Sequence, residues 1–285
     1  MLDFGFRNLV LFFKDKMTVF LSFLAELIIV GLYILFIRDN LIASFPQVDN
    51  AGLLMDVWMI AGLLGVTSVT TTMGAYGILV EDKSKKIDRD FQTSPIRTAS
   101  LLGGYMMSAV FIGLLMSFVL LIVSEIYIFC CYGVTLAAGK MLLVYGILIL
   151  TTLSNSSLVL LLVSFLKSSN ALAGCCTILG ALIGFLTGIY LPMGSLSEGV
   201  QGLIKCFPVA HSVVLFRQEL MEPFITQNFA SPDSIAALEF KNYMGIRYSF
   251  GEKIFSVGQS IAVLAVTVIV CMSITTWKLS RKNKH

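Results

Sequence analysis

The chain has 285 residues, 57% of them hydrophobic and only 13% charged, with a net charge of +3 and a mean hydropathy of +0.88. Soluble domains carry roughly 25% charged residues, so the composition excludes a water-soluble globule. Apolar runs of about 20 residues indicate an all-α integral membrane protein, because a helix satisfies its own backbone polar groups in lipid. The small positive charge gathers at the ends and in loops, which leaves no basic patch for nucleic acid.

Residues 1–17 read MLDFGFRNLVLFFKDKM. Apolar Phe4, Leu9, Val10, Phe12 and Phe13 alternate with charged residues in a run too short and too charged to span. This pattern predicts an amphipathic helix lying on the membrane surface. Residues 18–37 form the first expected span, with Glu26 its one deep ionisable group. No small-residue cleavage site follows, so the run does not read as a cleavable signal. Residues 38–56 read as a polar loop, and 57–80 as the second span. Its middle, Thr67–Gly77, is rich in Thr and Gly, which suits close helix contact or the lining of a polar path.

Between the second and third spans lies VEDKSKKIDRDFQTSPIRTASL, 80–101. A segment this charged stays in water, and its Lys and Arg density places that water on the cytoplasmic side. A short helix is expected over about 81–92, with Ile87 and Phe91 on one face inside a collar of Asp88, Arg89 and Asp90. This suits insertion into a partner's groove, and equally a solvated loop helix resting on headgroups. Ser94-Pro95 reads as a helix start that opens the third span, 95–130.

The fourth span, 141–166, has a polar waist, Thr151–Ser157. The fifth, 171–190, carries Gly180, Gly184 and Gly188 at intervals of four, a small-residue face suited to close approach. Residues 191–253 alternate apolar runs with Pro and Gly, then become polar from 222. The runs are expected to be short helices that dip into the outer leaflet and return. Ser231-Pro232 and Gly245 bracket an expected helix in the polar insert. The sixth span is 254–277, followed by a basic tail. With both ends inside, the inner segments carry 13 Lys and Arg against 2 in the short outer loops. That asymmetry orients six spans with cytoplasmic termini.

No enzyme constellation is visible. The nearest approach to a phosphate-binding loop, Gly133 to Met141, has one residue too many between its glycines and Met where Ser or Thr must hold magnesium. His211 stands alone and reads as structural, and no metal site is expected. Glu26 is either a polar contact in a substrate path or toward a partner helix, or a carboxyl paired with a neighbouring span.

The order of parts resembles the permease subunits of ABC type-2 exporters. A surface elbow helix precedes six spans, a coupling helix joins spans two and three, and re-entrant outer helices join spans five and six. Glu81, Ser94-Pro95 and Leu101-Leu102-Gly103 resemble one family pattern, and Pro192, Val200–Phe207, Pro208 and Arg217 resemble another. Where the family often has Gly-Thr in the coupling segment, this chain has Lys86-Ile87.

The resemblance implies a single transmembrane domain over 1–285, with 1–17 as elbow, 81–94 as coupling segment and 191–253 as outer segment. It implies two permease chains, identical or different, each docked on a cytoplasmic ATPase subunit that holds ATP and magnesium, in the cell membrane of a bacterium. This chain would carry no cofactor itself and touch membrane lipid. The ATPase contact would use Glu81, Ile87, Asp88, Arg89, Phe91, Ser94 and Pro95. Spans two and five would line the path, bringing in Thr67, Ser68, Thr70 and Thr71 with Gly180, Gly184 and Gly188. Such permeases export drugs, peptide antibiotics, lipids or polysaccharides. The competing class is an ATP-independent carrier or a lipid-modifying enzyme. A carrier should show inverted repeats, and an enzyme a His, Asp or Glu cluster; neither is visible.

Overall fold

A computed structural model describes residues 2–87, 98–135, 140–229, 234–250 and 253–282. The chain is an all-α membrane protein with six helical segments long and apolar enough to cross a bilayer. Helix α1 is Leu2–Lys14. The first span joins α2 (Lys16–Leu32), a π turn (Tyr33–Ile37) and α3 (Arg38–Ala43). The second joins α4 (Ala51–Ala75) and α5 (Gly77–Ser84). The remaining spans are α6 (Thr98–Tyr132), α7 (Met141–Ser164), α8 (Ser169–Leu186) and α12 (Val257–Lys282). Between α8 and α12 lie α9 (Glu198–Cys206), α10 (Pro208–Asn228) and α11 (Ile235–Tyr243). A two-residue hairpin pairs β1 (Ser249–Phe250) with β2 (Lys253–Ile254).

The second span is the axis of the molecule. Of its most apolar stretch 94% is buried, against 11% for α8 and 22% each for the first and sixth spans. It packs on α6, α7 and α10. Lipid tails are as apolar as Leu, so what draws these helices together is close fit and hydrogen bonding. Gly65 shows the fit: a Cβ there would stand 2.5 Å from a methyl of Val213 on α10. The hydroxylated waists of α4 and α7 meet in this core. Thr151, Thr152, Ser154, Asn155, Ser156 and Ser157 are all buried, and Asn155 donates to Ser68 Oγ at 2.6 Å. The waist of α7 is therefore helix contact.

Three sequence expectations change. The polar loop expected over 38–56 shrinks to 44–50, because the first span continues as helix to Ala43 and α4 begins at Ala51. The helix expected over about 81–92 does not begin at Glu81, because α5 carries the second span through to Ser84 and the chain turns at Lys86; residues 88–92 lie outside the described residues. The segment after the fifth span keeps one short helix, α9, and a sharp bend of the kind a re-entrant loop or broken span makes, but its second part is longer than expected. Helices α9 and α10 are bent by 92° at Phe207, and α10 is a 21-residue core helix that continues past 222 to Asn228. It is buried from Val209 to Arg217 because it occupies the groove between α4, α7 and α12.

Side-chain contacts give the ends of the bundle. Arg7 meets Asp82, Lys83 Nζ donates to Val163 O at 3.4 Å, and Lys278 Nζ donates to Ser164 Oγ at 3.3 Å. Helix α1, the end of the second span, the end of α7 and the end of α12 thus share one end, called here the charged end.

Candidate functional site

The charged end is organised by Asp82. Helix α1 is amphipathic: Gly5, Asn8 and Phe12, at helical spacing, face the bundle, while Leu2, Phe6 and Phe13 face outward. Asp15 caps the next helix, accepting from the backbone N–H of Met17 and Thr18. Those bonds and the Thr18 hydroxyl hold its carboxyl below the usual carboxylate range. This capped corner sets α1 across the bundle against α6.

Arg7 then reaches α5. Its two Nη atoms donate to the two Asp82 oxygens at 3.0 and 3.1 Å, a bidentate pair. Tyr105 of α6 donates a third bond to Asp82 Oδ2 at 2.5 Å, and Phe4 packs edge-on to the Tyr105 ring at 4.9 Å. The Asp82 side chain is 5% exposed and that of Arg7 35%. The Asp82 carboxylate raises the Arg7 pKa above its ordinary value, chiefly by hydrogen bonding. Helix α1 is thereby fastened to the end of the second span.

Beside this pair lies a cleft of about 430 Å³, open on the charged end and lined by Arg7, Asp15, Glu81, Lys85, Ile87 and others. Two residues expected to contact a partner, Glu81 and Ile87, are thus brought together there. Glu81 is exposed and paired with Lys85, at a distance of 2.5 Å. Asp88, Arg89, Phe91, Ser94 and Pro95 lie outside the described residues. Lys86 has φ +61°. Glycine takes that left-handed conformation without steric cost, whereas a lysine there is strained.

The expected path residues fall into different environments. Thr67, Ser68 and Thr71 are buried, and Ser68 and Thr71 donate to carbonyls of their own helix. Thr70 is partly exposed. On α8, Gly180 is open, Gly184 faces the Tyr190 ring, and Gly188, with φ +63°, ends the fifth span in a turn. Glu26 is buried in the middle of the first span.

Two further polar nodes hold the opposite end. Asp56 is fully buried and accepts from Tyr33 at 3.0 Å, Arg38 Nε at 2.9 Å, Tyr127 at 2.9 Å and Tyr132 at 2.6 Å. The π turn makes this possible, since its i to i+5 bond stacks Tyr33 and Arg38 on one side. Arg217, also fully buried, donates to Gly188 O at 2.8 Å and to Met244 O at 3.3 Å, and stacks 4.4 Å over Trp58. It ties the turn after α8, helix α10 and the polar insert to the second span. Gly245, at φ +66°, ends α11 as expected, and the N-cap of that helix is Ser234; Ser231-Pro232 lies outside the described residues.

His211 is structural. Its Nε2 donates to Lys205 O at 2.8 Å, which leaves Nδ1 to accept from Ser260 Oγ at 3.2 Å. Among the described residues no three His, Cys, Asp or Glu side chains converge as a metal site.

Sequence reasoning missed Arg7, Asp82, Tyr105, Asp56 and Trp58 as node residues. Arg7 and Asp82 are 75 residues apart, and each alone looks like a solvated charge beside an apolar run. Asp56 did carry a signal, an acid directly before an apolar stretch, but it read as loop.

Compared with known families, residues 68–277 match the model of the ABC-2 family transporter protein. No curated protein matches the chain.

Proposed function

Because the chain belongs to the ABC-2 transporter family and is a membrane permease component of an ABC transporter, we propose that its charged end docks the ATPase subunit and that the elbow transmits the push. The charged end faces the cytoplasm. The segment after Ser84 presents Ile87, Asp88, Arg89 and Phe91 to a groove on the ATPase, with Glu81 and the adjoining cleft at its rim. Ser94 and Pro95 belong to the same proposed contact. ATP and magnesium belong to that partner, and this chain supplies the lever and the path.

The observation that carries this reading is the Asp82 node. The second span runs as helix from Ala51 through Ser84, broken only at Tyr76, and its last turn is bound to the surface helix by the bidentate Arg7 pair. Force applied beyond Ser84 therefore acts on the central helix and on α1 together. A lever of this kind needs a stiff arm and a fixed fulcrum, and the pair supplies the fulcrum.

A second permease chain completes the path. The apolar faces of α2, α8 and α12 are exposed in the single chain, and Thr70 with Gly180 marks the side on which the two chains face each other. The direction is export, of an amphiphile from the inner leaflet or cytoplasm of a bacterial cell membrane.

The test is co-purification. The tagged chain, solubilised gently, should bring down a Walker-motif ATPase, and Ile87→Asp with Phe91→Asp should release it. Retention of the ATPase by the double variant would refute the docking face. Failure of the native chain to retain one would refute the docking proposal itself.

A further inference from the structure

A second cleft, of about 400 Å³, lies among the first three spans, away from the charged end. Its wall is almost wholly apolar, built from residues such as Phe23, Met59, Leu63 and Leu120. Leu27 and Val123 at its rim are 62% and 56% exposed, so the cleft opens sideways toward the lipid-facing surface. Its volume is within the usual range of a small-molecule site.

One acid stands in this wall. Glu26 is 4% exposed, and its Oε1 is buried without a hydrogen-bond partner. The polar groups near it are uncharged hydroxyls, Thr67, which is within reach of its carboxyl, and Ser124, which also lines the cleft. Among the described residues no cation is paired with it, since the charges of the first span sit at its two ends. A carboxylate left unpaired in hydrocarbon costs several kcal/mol. Asp56 and Asp82 are each paired with an arginine, whereas Glu26 has at most the Thr67 hydroxyl. A carboxyl aimed into an open apolar cleft is instead suited to a guest that brings the missing positive charge and an apolar tail. The Phe23 and Tyr127 rings, which also line the cleft, favour a cation as well.

We propose that this cleft is a lateral binding site for a cationic amphiphile, an alkylamine or alkylammonium whose head pairs with Glu26 and whose tail lies past Leu27 and Val123 into the bilayer. This deepens the transport reading by naming a class of amphiphile, but the site itself needs no ATPase.

The test is equilibrium binding of radiolabelled dodecylamine, with dodecanol in parallel, to the purified chain in lipid nanodiscs and to empty nanodiscs. Saturable binding of the amine is expected, at one per chain, above that of the alcohol. Glu26→Gln keeps the shape and removes the charge, and should weaken amine binding at least tenfold while leaving dodecanol unchanged. Val123→Trp fills the cleft from an exposed position and should abolish saturable binding with Glu26 intact. Should Glu26→Gln fail to fold, the amine-to-alcohol comparison and Val123→Trp still decide. Amine binding that is unsaturable, or indifferent to both substitutions, overturns the proposal. So does a cross-link from Leu27→Cys that places a second copy's helix in the cleft. Because no ATPase is present, these failures leave the docking proposal standing, and loss of co-purification leaves this one standing.

Discussion

The Arg7–Asp82 pair allows a worked prediction. At 3.0 Å and an effective dielectric of about 20, the gross attraction is about 5 kcal/mol. Desolvation consumes much of that, and Arg7 keeps 35% of its side chain in water, so the pair must be discounted from the roughly 3–5 kcal/mol cost of breaking a fully buried one. The two partners are also unequal. Arg7→Met strands a carboxylate that is 5% exposed, with only Tyr105 still donating to it, and should cost about 2 kcal/mol. Asp82→Asn strands an arginine that can turn to water, and should cost about 1 kcal/mol. The double variant should then be less destabilised than the sum of the singles by about 1 kcal/mol, because each single already forfeits the shared bond. The assay is reversible unfolding in mixed micelles with increasing denaturing detergent, followed on all four chains of the cycle, with limited proteolysis of α1 as a local readout. Additive costs, within about 0.3 kcal/mol, or Asp82→Asn costing more than Arg7→Met, would refute the argument that Asp82 is the buried member of a coupled pair.

Other expectations follow from the remaining nodes. Asp56→Ala removes the acceptor of four side chains on two other helical segments and should cost about 3–5 kcal/mol, with Asp56→Asn costing less; equal costs would mean that charge is irrelevant there. Arg217→Lys cannot reach Gly188 O and Met244 O while stacking on Trp58, so it should loosen the polar insert by about 2 kcal/mol and speed proteolysis around 229–234; unchanged cleavage would dismiss the tie. Lys86→Gly relieves a left-handed residue and should stabilise by about 0.5–1 kcal/mol, read in the same micelle titration. The α2 cap gives a pH expectation: with the Asp15 pKa held below its ordinary 3.8, its contribution is complete above that value and disappears as the pH falls through the lower folded value. Asp15→Asn should flatten that acid limb.

The sequence by itself determined the class of the protein and its number of spans. These depend on length and composition alone: a bilayer demands about 20 apolar residues per crossing and expels charge, whichever neighbours a helix later finds. It also placed the amphipathic N-terminal helix and the Gly245 stop, which depend on local periodicity and backbone conformation. Only the tertiary structure decided which span is central and which polar residues hold the bundle. Apolar composition cannot rank the spans, because an apolar face is equally content against lipid or protein; α8 and α4 read alike, yet one is almost wholly exposed and the other buried. Likewise α10 read as short interrupted runs, because Pro208, His211 and Arg217 break its hydropathy. Once folded, Arg217 finds carbonyls and the Trp58 ring, and His211 finds Lys205 O and Ser260. The partners that make Asp56, Asp82 and Arg217 tolerable in lipid lie far along the chain, 76 positions for Asp56 and Tyr132, 75 for Asp82 and Arg7, and 159 for Arg217 and Trp58. That distance is why the same residues read as loop charges in the sequence and as fastenings in the structure, and why Glu26, given no cationic partner among the described residues, is left in the wall of an open cleft.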